Sequence, residues 1–158
     1  MHIKEIRDED FTSYKKPSMV IGFPSCNWKC EKECGEHCCQ NSALAQSPLI
    51  DIPIDTLIQR YINNPITKAI VIGGLEPMLQ FDEVFDLIKY FRTNNCLDDF
   101  VIYTGYYKNE IEDKIEKLKE FPNIVIKFGR YIPNHEKHYD EVLGIYLVSN
   151  NQYAERIS

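Results

Sequence analysis

Short apolar runs alternate with amphipathic segments along this chain, and that alternation limits its fold more than any other feature. The runs are Ser18–Phe23 (SMVIGF), Lys68–Ile72 (KAIVI), Phe100–Tyr103 (FVIY) and Ile124–Phe128 (IVIKF). Each is rich in β-branched or aromatic residues and is followed closely by Gly or Pro, the pattern of a buried strand. Between them apolar residues recur at helical spacing: Ile54, Leu57, Ile58, Tyr61 and Ile62; then Phe81, Val84, Phe85, Ile88 and Phe91; then Ile111, Ile115 and Leu118. Pro53 and Pro65 punctuate the first of these helices. Strands alternating with helices imply right-handed crossovers and a mainly parallel sheet. The units are too few to close an eight-stranded barrel. The expected fold is therefore α/β, an open or partial (β/α) barrel forming a single domain over residues 1–158. Gly144–Val148 (GIYLV) reads as a further strand.

In parallel α/β sheets, ligands sit beyond the carboxyl ends of the strands. Here those ends run into Pro24-Ser25-Cys26, Gly73-Gly74-Leu75-Glu76-Pro77, Thr104-Gly105-Tyr106 and Gly129-Arg130. All four converge on one rim, so a single site is expected.

Six cysteines occur, and Cys26, Cys30, Cys34, Cys38 and Cys39 share one loop within residues 24–45. A chain of 158 residues, 44% of them hydrophobic, can build its own core without disulfides. Thiolates are soft ligands suited to iron–sulfur clusters or zinc. Cys26 and Cys30 are close enough to bind one cluster from a single loop. Spacing alone leaves the third ligand open among Cys34, Cys38 and Cys39. The four-residue repeat from Cys26 to Cys38 would line a helical face, but Pro24 and Gly35 oppose a helix there. Zinc or a four-thiolate electron-transfer cluster stands as the alternative from cysteine content alone.

The formal net charge is −6, and no basic stripe marks a nucleic-acid surface. No apolar run approaches the roughly 20 residues of a membrane helix. The charged start MHIKEIRDED shows no secretory signal, so a cytoplasmic protein without membrane or direct nucleic-acid partners is expected.

The loop resembles that of radical S-adenosylmethionine enzymes, whose usual pattern is C-x3-C-x2-C. Their activase members commonly place Asn two residues after the third cysteine, as in Cys39-Gln40-Asn41 here. The resemblance implies Cys26, Cys30 and Cys39 as ligands of a [4Fe–4S] cluster, with a longer second spacing than usual. Gly73-Gly74-Leu75-Glu76-Pro77 resembles the family's glycine-rich motif, with Leu75 as an insertion. Its backbone and acidic group bind the amino end of S-adenosylmethionine, which implies that role for Gly73, Gly74 and Glu76. Tyr103-Thr104-Gly105-Tyr106 resembles the W-T-G-Y segment of the activating proteins of anaerobic (class III) ribonucleoside-triphosphate reductase. Phe128-Gly129-Arg130-Tyr131 and Ser149-Asn150-Asn151-Gln152 are similar to their D-G-R/K-F and S-S-N-Q endings. Asn41, Thr104, Tyr106 and Arg130 are thereby implied as cofactor-binding residues.

In that family three thiolates leave one iron open, and S-adenosylmethionine chelates it. An electron then breaks a C–S bond to give methionine and a 5′-deoxyadenosyl radical. The resemblance implies an oxidoreductase that generates a glycyl radical on the large subunit of anaerobic ribonucleotide reductase, with flavodoxin or ferredoxin as electron donor. A radical enzyme acting on another peptide or metabolite, and a non-catalytic Fe–S or zinc module, are the other readings of the same residues.

Overall fold

A computed structural model describes residues Met1–Ser158. Its centre is a six-stranded sheet of β2 (Glu5–Asp10), β3 (Ser18–Phe23), β5 (Ala69–Gly74), β6 (Asp99–Tyr103), β7 (Ile124–Phe128) and β10 (Tyr153–Arg156), ordered β2-β3-β5-β6-β7-β10. The four strands β3, β5, β6 and β7 are parallel, in registers that pair Val20 with Val71, Ile72 with Ile102, and Tyr103 with Lys127. Both edges are antiparallel: β2 on β3, and β10 on β7. The sheet is open, with β2 and β10 at opposite edges and no barrel closed between them. Two small antiparallel pairs complete the strands: β1 (His2–Ile3) with β4 (Ile50–Asp51), and β8 (His138–Asp140) with β9 (Ile145–Leu147).

The four apolar runs form the parallel strands. The second continues through Gly73 and Gly74, so the glycine-rich motif begins inside the sheet. Gly144–Val148 yields β9, but in a separate hairpin rather than in the main sheet.

The parallel strands follow one another in chain order across the sheet, so right-handed crossovers place their helices on a common face. These are α3 (Ile54–Asn63), α4 (Phe81–Thr93) and α5 (Glu112–Leu118). Period-two alternation sorts the strand residues accordingly. Met19, Ile21, Phe23, Ile70, Ile72, Phe100, Ile102, Ile124 and Ile126 pack with Leu57, Ile58, Val84, Leu87, Phe91, Ile115 and Leu118 in the larger core. Val20, Val71, Val101 and Val125 face the other way, under Tyr14, Leu143 and Leu147. Each fully buried Leu, Ile or Phe contributes about 1.5–3 kcal/mol, so the helical face carries most of the stability.

Candidate metal centre

The carboxyl ends of β3, β5, β6 and β7 open on one cleft of ≈ 270 Å³. Cys26, Cys30 and Cys39 line it, together with Asn41, Gly74, Glu76, Thr104 and Tyr106. The remaining cysteines of the loop do not.

The loop that carries the thiols turns sharply after β3. Trp28 adopts a left-handed conformation (φ 58°), and α1 (Lys29–Cys34) follows and ends at Gly35 (φ 75°). The helix is thus only six residues long, stopped at the glycine that opposes it in the sequence. A second short helix, α2 (Ser42–Gln46), follows the last two cysteines. Neither helix buries a residue, so polar ties hold the segment. Asn27 donates to the Tyr106 hydroxyl at 2.8 Å, and Asn41 Nδ2 donates to the Gly74 carbonyl at 2.7 Å. Lys29 pairs with Glu110 at 2.8 Å and lies 4.4 Å from the Tyr106 ring centroid.

Hydrogen bonding divides the cysteines into two groups. Cys26 Sγ accepts from the Trp28 N–H at 3.2 Å, and Cys39 Sγ accepts from the Asn41 N–H at 3.4 Å. Cys30 has no hydrogen bond of this kind, although the backbone N–H of Tyr131 opposes the rise in its pKa. Cys34, by contrast, donates toward the Glu36 carbonyl at 3.3 Å, and its sulfur lies 2.7 Å from that of Cys38. N–H donors stabilise an anionic sulfur, and carbonyl acceptors require a protonated one. Burial raises the pKa of Cys26, with Glu76, Cys30 and Cys39 adding to the rise and the Trp28 N–H opposing it. Burial also raises Cys30, against the Tyr131 N–H and the Lys127 ammonium. Cys38 is pushed up to about 12 by burial and by Cys34.

This donor set fits an iron–sulfur cluster. Three soft sulfurs line one cleft, and two of them accept a backbone N–H. The protein's His, Cys, Asp and Glu side chains form no group of three drawn in around a single ion.

Glu76 is 4% exposed and organises the rim. Its carboxylate accepts from Met78 N at 3.0 Å, Thr104 Oγ1 at 2.7 Å and Gly105 N at 2.8 Å. Burial raises its pKa against these three donors. The protein itself thus uses most of the capacity expected for a cofactor ammonium. Gly105 lies beneath the cysteines: a Cβ there would stand 3.4 Å from both Cys30 Sγ and Glu76 Oε2.

Two residues implied by resemblance lie off the cleft. Gly73 sits within β5 and does not line it. Arg130 turns away from it, reaching Glu110 at 2.6 Å and Glu33 at 3.1 Å with its guanidinium 4.5 Å from the Tyr107 ring centroid. It clamps α1 to the segment after β6. His37 is fully exposed beside Glu31, and Cys96 lies at the far end of α4.

The cleft also contains Lys127 and Tyr146, which sequence reasoning passed over, and Tyr103, Gly129, Tyr131 and Gln152, which it placed in motifs without a site role. Lys127 carried a visible signal, a charge in the otherwise apolar run IVIKF. Burial lowers its pKa to about 8, opposed by the negative charge of Cys30 and Glu76. Tyr146 carried none, because the hairpin that brings it to the rim follows the last parallel strand.

Residues 19–153 match the family model described as a 4Fe-4S single cluster domain. No curated protein matches the chain.

Proposed function

The chain belongs to the 4Fe-4S single cluster domain family, and from that premise we propose that it is a radical S-adenosylmethionine activating enzyme for anaerobic ribonucleoside-triphosphate reductase. The observation that carries this reading is the sorting of the cysteines: Cys26, Cys30 and Cys39 line the cleft, two of them accepting backbone N–H groups, and the two outside it lie against each other. Cys26, Cys30 and Cys39 would hold the cluster. When bound, the cluster supplies one electron to S-adenosylmethionine and leaves one iron without a protein ligand, so that a C–S bond breaks to give methionine and a 5′-deoxyadenosyl radical.

The chain's own residues orient and shield. Gly74 keeps the rim backbone bare beside the thiols. Glu76, fixed by Thr104 and Gly105, sets the spacing between the β5 and β6 rim segments. Asn41 ties the Cys39 segment to the Gly74 carbonyl, so the third thiol and the glycine turn move as one body. Tyr106, held by Asn27, and Tyr131 wall the cleft against water. The substrate would be a backbone glycine of the reductase, reached through the open rim, and a flavodoxin or ferredoxin would supply the electron.

The test is anaerobic incubation of the cluster-loaded protein with a class III reductase, S-adenosylmethionine and a one-electron donor. The expected result is the doublet of a glycyl radical in the paramagnetic resonance spectrum of the reductase. Cofactor cleavage without that doublet would move the activity to another peptide or a metabolite.

A further inference from the structure

Lys127 is 7% exposed and projects from β7 on the same face as Val125. A buried ammonium is costly unless an anion neutralises it. Its Nζ makes one hydrogen bond, to the Gly129 carbonyl at 2.9 Å, and stands over the Tyr103 ring, 6.0 Å from its centroid. An ammonium has three donors, so two remain open. Glu76, a carboxylate whose charge acts on Lys127, is bonded to Met78, Thr104 and Gly105 rather than to Lys127. Gln152 donates to the same Gly129 carbonyl at 3.3 Å, and its buried Oε1 has no partner. The protein thus buries a cation that no direct ion pair holds, in the wall of the cleft lined by Cys26, Cys30 and Cys39.

We propose that Lys127 is the built-in counter-charge of the iron–sulfur cluster, a cation placed beside Cys30 that raises the cluster's reduction potential. The inference rests on the cluster assignment above. A doubly positive cubane held by three thiolates has a net negative charge, and one-electron reduction adds another. A fixed cation in a site of low dielectric favours the more negative state. Lys127 is thus a positioning residue for charge and makes no bond to the reacting atoms.

The experiment is a redox titration of the anaerobically reconstituted protein, followed by the paramagnetic signal of the reduced cluster, in wild type, Lys127→Met and Lys127→Arg. Met keeps the unbranched bulk without charge. In K127M the ratio of reduced to oxidised cluster at a fixed potential should fall about tenfold, a midpoint about 59 mV more negative for a one-electron couple. K127R should titrate near wild type, with iron content equal in all three. Loss of iron from a natively folded K127M, retained in K127R, supports the same assignment. If K127M does not fold, Lys127→Gln, which keeps a donor for Gly129, takes its place in the titration. A neutral variant that holds full iron and titrates at the wild-type midpoint overturns the proposal. A wild type that takes up no iron overturns the cluster assignment instead.

Discussion

Cys39 and Cys34 lie five positions apart in opposite chemical surroundings. Cys39 faces the cleft and accepts an N–H, whereas Cys34 lies outside it and donates to a carbonyl beside Cys38. Cys39→Ala should therefore lose the cluster and Cys34→Ala keep it, read as iron per chain and visible absorption after anaerobic reconstitution. The reverse result would assign the third ligand to Cys34. Glu110 makes a second prediction. Burial raises its pKa, but Arg130, Lys29 and the Tyr107 N–H outweigh burial and hold it at about 2. A depressed carboxylate stabilises the fold fully above its unfolded value and loses that contribution as pH falls through the folded one. The stability difference between wild type and Glu110→Gln should thus be constant above about pH 4.5 and shrink toward pH 2, as followed by denaturant unfolding. A difference that persists unchanged at acid pH would show that the charge of Glu110 is not what anchors the loop.

At the scale of elements, β3 and β5 approach so closely at their carboxyl ends that only glycine fits. Gly74 has φ 90°, and a Cβ there would lie 2.7 Å from Phe23 N and 2.8 Å from Gly22 Cα. Backbone cannot give way as a side chain can. Gly74→Ala should cost on the order of 2 kcal/mol or more, from overpacking and left-handed strain together. The denaturant midpoint should fall with little change in slope. The cysteine segment should behave differently. Since α1 and α2 bury nothing, ligand bonds to a cluster would be its main restraint. Amide hydrogen exchange in residues 24–45 should slow markedly when the cluster is loaded and return when it is removed, with the sheet unaffected. Equal protection in both states would mean that the polar ties alone order the loop.

These elements differ in how far the sequence exposes them. The four parallel strands are buried on both faces, so each reads as an apolar run, interrupted in β7 by Lys127. The edge strands EIRDED and YAER do not, because charges occupy their exposed positions and pairing comes from neighbours distant in sequence. The rim segments were legible because Gly, Pro and Cys punctuate strand ends. The direction a rim side chain takes was not: Arg130 follows Glu33 and Glu110 away from the cleft, and nothing local to Gly129-Arg130 encodes that choice. Tyr146 reaches the cleft on a hairpin whose docking is set by Leu143 and Leu147 in the second core.

At the scale of the molecule, one strand order accounts for the division of labour. Strands that follow in sequence place the helices α3, α4 and α5 on one face, where they supply stability, and leave the carboxyl rim to loops. The rim then gathers thiols, glycines and one buried lysine in an open cleft rather than a sealed cavity. An open rim would admit a loop of the proposed polypeptide substrate, where a small metabolite would need enclosure. No helix is long and apolar enough to cross a membrane. The most direct measurement of the central claim is the yield of 5′-deoxyadenosine when the anaerobically reconstituted protein is reduced in the presence of S-adenosylmethionine. The account requires 5′-deoxyadenosine and methionine in equal amounts, abolished in Cys26→Ala, Cys30→Ala and Cys39→Ala. A fully loaded, reducible cluster that leaves S-adenosylmethionine intact would contradict it.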